Sequence, residues 1–445
     1  MSDLPKGWEV IALKEIVSSV KGKKPKILTD VKTNNTVPYI DIKAFEKREI
    51  RQYADIHSLN IACKEDVLVV WDGARSGLVG IGQEGAIGST ILAIKPFCIS
   101  SQYLYHFLQT KYEYINTNHR GTGIPHVDPE VFWNIEFPIA PLNEQRRIVA
   151  KLERLLHRVD ACKERLEKIP AILKRFRQSV LAAACTGKLT EDWRKKHNIA
   201  DDRCDLSLQD VGIVSGGITK NSKRKQLPLQ VPYLRVANVY ENELRLEDMR
   251  NIGVTQTEFE RTLLHKDDLL IVEGNGSIEQ IGRVALWNGS IHPCLHQNHL
   301  IKFRVSKKTI SRYVLFWLMS PIGRELLVEA AVSTAGLHSL SISKIGKLPI
   351  KIPPLPEQHE IVRRVDALFK KADEIEARYK KAKAFVDKLS QSILAKAFRG
   401  ELVPQDPNDE PASELLKRVK EERVAREVKI ETEKRKKRKE KFLIK

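Results

Sequence analysis

The 445-residue sequence lacks the features that define several large classes of protein. Its six cysteines stand singly, without a CxxC pair or the spacing of a disulfide framework, which indicates a reducing compartment. The N-terminus has no apolar run of the kind found in signal peptides. No stretch approaches the roughly 18 uncharged apolar residues of a membrane span. These absences predict a cytoplasmic protein without membrane contact.

Positive charge is abundant: 76 Lys and Arg against 57 Asp and Glu give a net charge of +19. An excess of this size indicates a polyanionic partner, with nucleic acid as the first choice and an acidic membrane surface as the second. A charge that serves only solubility is the alternative. The segment from residue 413 onward holds 14 basic and 7 acidic residues, and it either adds nonspecific DNA affinity or is a solvated end. Without that segment the charge is still +12.

An internal repeat organises the chain. The motif Pro141-Leu-Asn-Glu-Gln-Arg-Arg-Ile-Val149 recurs as Pro354-Leu-Pro-Glu-Gln-His-Glu-Ile-Val362. Gln178-Ser-Val-Leu-Ala182 and Gly187-Lys-Leu189 recur at the same offset of 213 residues. A constant offset over about fifty residues is the signature of a duplicated unit.

The repeated segments have the period of a long helix. Ten apolar positions from Ile148 to Val180 are spaced alternately by four and three residues, and their counterparts from Ile361 to Ile393 are again apolar or aromatic. This spacing predicts a coiled-coil seam. Pro170 interrupts the first helix and should bend it, because proline removes a backbone donor. Two unrelated amphipathic helices are the alternative.

The segments that precede the helices also resemble each other. Val37-Pro-Tyr-Ile40 corresponds to Val231-Pro-Tyr-Leu234, and Lys64–Val70 corresponds to Lys266–Val272. Short β-branched runs, Gly/Pro/Asn turns and short helices are typical of a compact α+β domain. The predicted organisation is a first domain (1–140), a first long helix (141–187), a linker and second domain (188–350), a second long helix (351–400) and a basic tail (401–445).

The order of these parts constrains their geometry. A helix of about 42 residues is about 60 Å long. Since a globular domain turns the chain around between the two helices, they should pair antiparallel and separate the domains across a pseudo-twofold axis. Dimeric DNA readers place their recognition units about one helical turn apart, which a rod of this length can span. Two domains of different sequence then predict a bipartite, asymmetric DNA site.

These motifs resemble those of a known family. The two Pro-Leu-x-Glu-Gln openings, the run Ile172–Ser179, the helix ends Thr186–Thr190 and Ala395–Leu402, and the N-terminal Leu4–Trp8 are similar to the specificity (S) subunits of type I restriction-modification enzymes. The resemblance covers nearly the whole chain. It implies two target recognition domains, each reading half of a split site in double-stranded DNA.

The resemblance also implies partners. The long helices would bind two modification (methyltransferase) subunits, and two restriction (translocase and nuclease) subunits would complete the enzyme. S-adenosylmethionine and ATP with Mg²⁺ are then expected on the partner subunits, and no cofactor or catalytic residue on this chain.

Other kinds of protein fit the sequence less well. A methyltransferase or nuclease with fused recognition domains would need a catalytic core, but no segment remains to house one, and no GxxxxGK(S/T) phosphate loop occurs. A structural coiled-coil protein with nonspecific DNA binding leaves the paired domains unexplained. His292-Pro-Cys-Leu-His-Gln-Asn-His299 offers possible metal ligands, but zinc sites draw ligands from two separated segments, so no metal is expected.

Two lysine-rich loops occupy matching places in the two domains. Clustered lysines in a Gly/Pro loop suit contacts to DNA phosphates, which supply affinity but no sequence choice. A merely solvated loop is the alternative. The candidate phosphate contacts are Lys21, Lys23, Lys24, Lys26, Lys220, Lys223, Arg224 and Lys225.

Base readers need hydrogen-bond donors and acceptors on exposed turns. Four Gly-containing turns meet this requirement, although their glycines could simply form tight turns. The candidate base readers are Arg75, Ser76, His119, Arg120, Thr122, Asn275, Ser277, Ser333, Thr334 and His338.

Overall fold

The computed structural model describes residues 4–56, 59–121, 123–334 and 337–443. The chain forms two compact units. Unit 1 comprises Met1–Leu166 and Ala382–Lys445, and unit 2 comprises Glu167–Lys381. Each unit contains one globular domain and segments of both long helical regions, which share its hydrophobic core.

The globular domain of unit 1 is a mixture of short strands and short helices. Its strands are β1 (Glu9–Ala12), β2 (Val17–Lys21), β3 (Leu28–Thr29), β4 (Thr36–Ile40), β5 (Tyr53–Asp55), β6 (Ile61–Ala62), β7 (Val67–Val70), β8 (Val79–Ile81), β9 (Gly85–Ile87), β10 (Ile91–Pro96) and β11 (Glu136–Ile139). Its helices are α1 (Leu13–Ile16), α2 (Ile42–Lys47), α3 (Ser101–Thr110), α4 (Tyr112–Thr117) and α5 (Pro129–Trp133).

Three helices follow before the second domain: α6 (Leu142–Glu167), α7 (Ile169–Cys185) and α8 (Glu191–His197). The strands of the second domain are β12 (Cys204–Ser207), β13 (Gly212–Gly216), β14 (Leu229–Leu234), β15 (Val239–Tyr240), β16 (Glu243–Leu244), β17 (Arg250–Val254), β18 (Leu269–Val272), β19 (Gly274–Asn275), β20 (Val284–Leu286), β21 (Leu295–His296), β22 (Leu300–Val305), β23 (Val332–Thr334), β24 (Leu337–Ser339) and β25 (Pro349–Ile352). Its helices are α9 (Leu208–Val211), α10 (Gln256–Thr262), α11 (Ser311–Met319), α12 (Pro321–Ala330) and α13 (Ile342–Gly346), and the chain ends with α14 (Leu355–Phe398) and α15 (Ala412–Leu443).

The two domains share the main features of their sheet topology. A four-stranded sheet has the order β2-β10-β7-β8 in unit 1 and β13-β22-β18-β20 in unit 2. The first and last strands of each domain also pair, β1 with β11 and β12 with β25. A parallel pair recurs as well, β4 with β9 and β14 with β21. The predicted α+β fold and internal repeat are therefore confirmed.

The long helical segments pair antiparallel. In unit 1, Ile148 and Leu152 near the start of α6 share a core with Phe398 at the end of α14. In unit 2, Val180 near the end of α7 shares a core with Ile361 near the start of α14. Both helical regions end before a glycine with positive φ, Gly187 at 81° and Gly400 at 74°, as a left-handed C-cap requires.

The predicted interruption of the first helix is confirmed, and one detail of the predicted seam is wrong. Helix α6 ends at Glu167 and α7 begins at Ile169, with Pro170 in its first turn. Proline cannot donate to the preceding turn, but it is well accommodated at the start of a new helix. The seam is incompletely buried, because Cys162 and Ile375 are exposed and Phe176 retains 37% of its surface.

The repeated Glu-Gln motifs attach each long helix to its globular domain. Gln145 donates to the carbonyl of Ala140 (2.9 Å) and accepts from the backbone N–H of Ser100 (3.2 Å). Gln358 makes the same two bonds, to the carbonyl of Pro353 and from the N–H of Ile310, both at 2.9 Å. The preceding glutamates, Glu144 and Glu357, are almost completely buried.

The segment predicted as a basic tail belongs partly to the core of unit 1. Leu415 and Val419 of α15 are buried there, and Glu422 accepts a hydrogen bond from the Cys98 thiol (2.9 Å). Residues 434–439 are all Lys or Arg, and a run of like charges opposes folding by mutual repulsion. The backbone is nevertheless helical through Leu443, since it continues a helix that the core anchors. Beyond Thr432 only the backbone of this helix is described.

Candidate nucleic-acid interface

Three loops of the first domain meet at the carboxylate of Asp72. Its oxygens lie 3.1 Å from Nζ of Lys21 and 2.7 Å from Nδ1 of His126. The loops are residues 21–26, the turn 72–76 after β7, and the hairpin 118–127, of which Thr122 lies outside the described residues. We call them together the first loop cluster.

Backbone pairing holds the turn and the hairpin together. Asp72 and Arg120 both form antiparallel bridges with His126. The N–H of Val127 donates to the carbonyl of Trp71 (2.9 Å), and the N–H of Gly73 donates to the carbonyl of Pro125 (2.8 Å). Two regions that the sequence analysis selected separately are therefore one surface.

The lysine loop of the first cluster is well exposed. Lys23, Lys24 and Lys26 are exposed, whereas Lys21 keeps about half of its side-chain surface and is held by Asp72. Gly22 packs so closely on Gly88 that an added Cβ would lie 2.0 Å from its carbonyl oxygen. Glycine is required there because the backbones approach so closely. The packing of Gly22 thus fixes the start of the loop, and the ammonium groups that follow are exposed.

The arginines of the cluster are positioned by carboxylates but stay accessible. Arg120 donates to Asp128 (2.6 Å) with 54% of its side chain exposed, and Arg75 pairs with Glu46 (2.6 Å) with 61% exposed. The hydrogen bond to Asp128 raises the pKa of Arg120. Exposed guanidinium groups held in one orientation suit bidentate contacts to guanine or phosphate.

One predicted contact of this cluster is corrected. Ser76 has no exposed surface, and its carbonyl accepts a hydrogen bond from the Asn116 amide (2.9 Å). A buried hydroxyl cannot reach a DNA base, so Ser76 shapes the turn instead. His119 is exposed, with Nδ1 2.6 Å from the carbonyl of Asn116. The Asn116 side chain therefore holds the turn 72–76, and its backbone carbonyl contacts His119 at the start of the hairpin. Sequence reasoning missed this role of Asn116.

The second domain has an equivalent arrangement, built from strands. β19 pairs with β24, which pairs with β23, so that Asn275 and Ser333 both face His338 in the register. The N–H of Leu340 donates to the carbonyl of Glu273 (2.8 Å), as that of Val127 does to Trp71. Leu340 and Val127 are 213 residues apart, the offset of the repeat.

We call loops 219–225, 274–277 and 332–339 of unit 2 the second loop cluster. Asn275 accepts a hydrogen bond from the N–H of Ser277 (2.9 Å), whose side chain is exposed. Ser333 is exposed and His338 is partly buried. The side chain of Thr334, together with Ala335 and Gly336, lies outside the described residues.

The second lysine loop differs from the first in one residue. Lys220, Lys223 and Lys225 are exposed. Arg224 instead forms a bidentate pair with Glu258 (3.0 and 2.7 Å) and retains 13% of its side-chain surface. This hydrogen-bonded pair lowers the pKa of Glu258 to about 2. Arg224 therefore holds the loop on the domain, and its predicted phosphate contact is corrected.

Sequence reasoning missed His126, although the repeat contained a signal for it. His338 was selected in the second domain, and the offset of 213 residues places its counterpart at Pro125, next to His126. The histidine-rich segment 292–299 is largely structural: His296 is fully buried, with Nδ1 3.1 Å from the carbonyl of Thr262. Burial lowers its pKa to about 3.

The clusters offer hydrogen bonding and charge. Imidazole, guanidinium, amide and hydroxyl groups on exposed turns can contact base edges, and the lysines can contact phosphates.

In the part of the chain that the structure describes, no group of three or more His, Cys, Asp or Glu residues could hold a metal ion. No helix in the same part is long and apolar enough to cross a membrane.

Two similar α+β domains, each followed by a long helix and each presenting a basic loop cluster, define a duplicated recognition protein. Comparison with known proteins gives the family. The model of the type I restriction modification DNA specificity domain matches residues 5–171 and 205–383. The chain is 31% identical to the specificity subunit of the type I restriction enzyme EcoKI of Escherichia coli K12, covering 95% of this chain and 97% of that protein. It is also 31% identical to the StySPI specificity subunit of Salmonella potsdam, covering 94% and 96%.

Solved structures show the same fold. The HsdS subunit of Thermoanaerobacter tengcongensis superimposes with a TM-score of 0.58 at 21% identity, over 89% of this chain and 98% of that one. A chain from a type I restriction-modification complex gives a TM-score of 0.64 at 21% identity, over 90% and 99%. The protein belongs to the family of type I restriction-modification specificity subunits, which are recognition components.

Proposed function

We propose that this chain reads a bipartite, asymmetric DNA site, with one loop cluster on each half-site. The observation that carries the proposal is the equivalent construction of the two clusters from different side chains. Backbone pairing brings Asp72, Arg120 and His126 together in one cluster, and Asn275, Ser333 and His338 together in the other. Similar backbone pairing that presents different side-chain hydrogen-bond donors and acceptors suits two half-sites of different sequence.

In this proposal the helices hold the domains and bind two modification subunits, and two restriction subunits complete the enzyme. Exposed apolar side chains on the long helices support a docking role, because large apolar groups in water favour association. They include Ile172 (57% exposed), Ile375 (48%) and Phe385 (66%). Double-stranded DNA is the substrate of the whole complex, and a cytoplasmic location follows from this role.

We further propose that this chain is not catalytic. S-adenosylmethionine and ATP with Mg²⁺ would bind the modification and restriction subunits, respectively. The loop clusters contain groups for recognition, and the proposed division of labour assigns methyl transfer and DNA cleavage to the partners.

Footprinting with the purified modification subunit tests the proposal. The assembled complex should protect two separated blocks of DNA, and methylation profiling of the host genome should identify both half-sites. Deleting seven residues from each long helix should change the gap between the blocks and leave their sequences intact. Protection of a single contiguous block, or failure to co-purify with a modification subunit, would contradict it.

A structural coiled-coil protein with nonspecific DNA binding is the alternative. It predicts uniform protection with no preferred sequence. Replacing residues 1–140 by the corresponding domain of another family member distinguishes the two, since the proposed function requires one half-site to change and the other to persist.

A further inference from the structure

Unit 2 contains a large cleft between its globular domain and its helical segments. Its volume is about 1090 Å³, and α7, α14, the β15–β16 hairpin and residues 279–283 contribute to its walls. Leu173, Met319 and Phe369 form apolar parts of the lining. The cleft is separate from the side chains assigned above to the second loop cluster.

Two arginines of the cleft are neutralised by carboxylates of α14. Arg177 is paired with Asp373 and with Glu376 (3.1 Å), and Arg312 forms a bidentate pair with Asp366. Arg177 and Arg312 therefore already have carboxylate partners within this chain.

Two arginines on the domain side are not neutralised in this way. Arg324 donates to the carbonyls of Ile281 (2.6 Å) and Glu279 (3.2 Å). Arg283 donates to the amide oxygen of Gln280 (3.2 Å), and its Nε is buried without a hydrogen-bond partner. Among the described residues, neither guanidinium group forms an ion pair with a carboxylate.

Tyr240 holds Arg283 toward the cleft. The guanidinium carbon of Arg283 lies 4.9 Å from the ring centroid, and Arg245 stacks on the same ring at 3.9 Å. Arg245 is satisfied by Glu243 (2.9 Å). Arginine cannot lose its charge in a protein, so Arg283 and Arg324 remain partly buried cations. Glu241, also in the cleft lining, attracts Arg324 without forming an ion pair with it, and Nε of Arg283 remains without a hydrogen-bond partner among the described residues.

We infer that this cleft binds a carboxylate-bearing segment of the modification subunit, with Arg283 and Arg324 receiving the carboxylate. The inference rests on the proposed function and adds a contact outside the exposed face of the long helices. DNA is the poorer occupant, because the lining has six acidic side chains against six basic ones. A lining without net charge offers a phosphate backbone no net attraction, whereas its mixed charges and apolar groups suit a protein segment of mixed charge.

The test measures binding of the purified modification subunit to the full chain by calorimetry. The double variant Arg283→Gln/Arg324→Gln should weaken binding by about 30-fold or more, because a desolvated charge pair is lost. The matched control is Arg245→Gln. Arg245 stacks on the same tyrosine but does not line the cleft, so this variant should bind like the parent chain. Thermal unfolding of each variant checks the fold, and Arg283→Gln alone serves if the double variant is unstable.

A photo-crosslinking residue at position 370, in the cleft wall, identifies the occupant. Crosslinks to an Asp- or Glu-containing peptide of the modification subunit are expected. Crosslinks to labelled duplex DNA instead, or a double variant that binds as tightly as the parent chain, would overturn the inference and leave the proposed function standing. A parent chain that does not bind the modification subunit at all would overturn both.

Discussion

The two repeated Glu-Gln motifs place a glutamate in the same buried position of each unit, but the groups around it differ in charge. Glu144 accepts hydrogen bonds from the neutral Trp8 indole (3.0 Å) and Gln405 amide (3.2 Å). Glu357 accepts from Thr190 (2.7 Å) and from the cationic Arg194 (2.6 Å) and Arg203 (2.7 Å).

The donors occupy related places in the chain. Trp8 directly precedes β1, and Arg203 directly precedes β12. The position therefore requires a donor to the motif glutamate, but either an indole or a guanidinium group can provide it. Duplicated units can keep the geometry of a junction while its electrostatics diverge.

The largest expected effect is at Glu357. Glu357→Gln removes the buried carboxylate that Arg194 and Arg203 share and leaves them only the half-exposed Asp201 (3.7 and 2.8 Å). Breaking a buried pair costs about 3–5 kcal/mol. We expect a loss of this size in the free energy of unfolding of unit 2. Hydrogen exchange measured by mass spectrometry, on peptides that span residues 187–205, resolves it from unit 1. Retention of parental protection in these peptides would contradict the ionic description of this junction.

The loop clusters give the next largest effect. Arg120→Ala should relax recognition at one position of the first half-site and cost about 1–3 kcal/mol in binding to the cognate site. Asn275→Ala should act in the same way on the second half-site only. Fluorescence anisotropy with duplexes altered in one half-site measures both effects. A uniform loss of affinity across all duplexes would instead indicate contacts to phosphates.

Glu144→Gln should have a smaller effect, about 1 kcal/mol at neutral pH, since it replaces a hydrogen bond between neutral donors and a carboxylate. Burial raises the pKa of Glu144. A raised folded-state pKa contributes stability below the unfolded pKa, and that contribution is lost as pH rises through the folded value. The destabilisation by Glu144→Gln should therefore grow as pH falls from 7 to 4. Urea unfolding of parent and variant at both pH values measures it, and a destabilisation that shrinks toward pH 4 would contradict the assignment.

Lowering the pH should reduce the stabilisation of unit 2 by the Arg224–Glu258 pair, which is the reverse of the effect expected at Glu144. Hydrogen bonds from Arg224 lower the pKa of Glu258 from 4.5 to about 2. A lowered pKa contributes stability above the unfolded value, and this is lost as pH falls from about 4.5 toward 2. Glu258→Gln should remove part of this acid sensitivity, by less than 1 kcal/mol because the pair is partly exposed. Exchange protection of α10 between pH 6 and 3 measures it. An unchanged pH profile would mean that the pair contributes nothing to stability.

Much of the fold was accessible from the sequence. The repeat, the helical period and the two glycine C-caps are local patterns, and each predicts an element or its end without reference to distant residues. The interruption near Pro170 was predicted, but the start of a new helix at Ile169 was less accessible, because proline both bends helices and begins them. The burial of Ser76 and the pairing of Arg224 depend on Asn116 and Glu258, which are more than thirty residues away along the chain.

The sequence by itself determined that two similar α+β domains alternate with two long helices, since periodicity and a constant offset are properties of the chain. Only the tertiary structure decided which loops meet. Asp72 reaches both Lys21 and His126 because strand pairing joins segments about fifty residues apart. It also decided that Glu144 and Glu357 lie in different electrostatic surroundings, because a buried group is stabilised by whichever donors the packing brings to it.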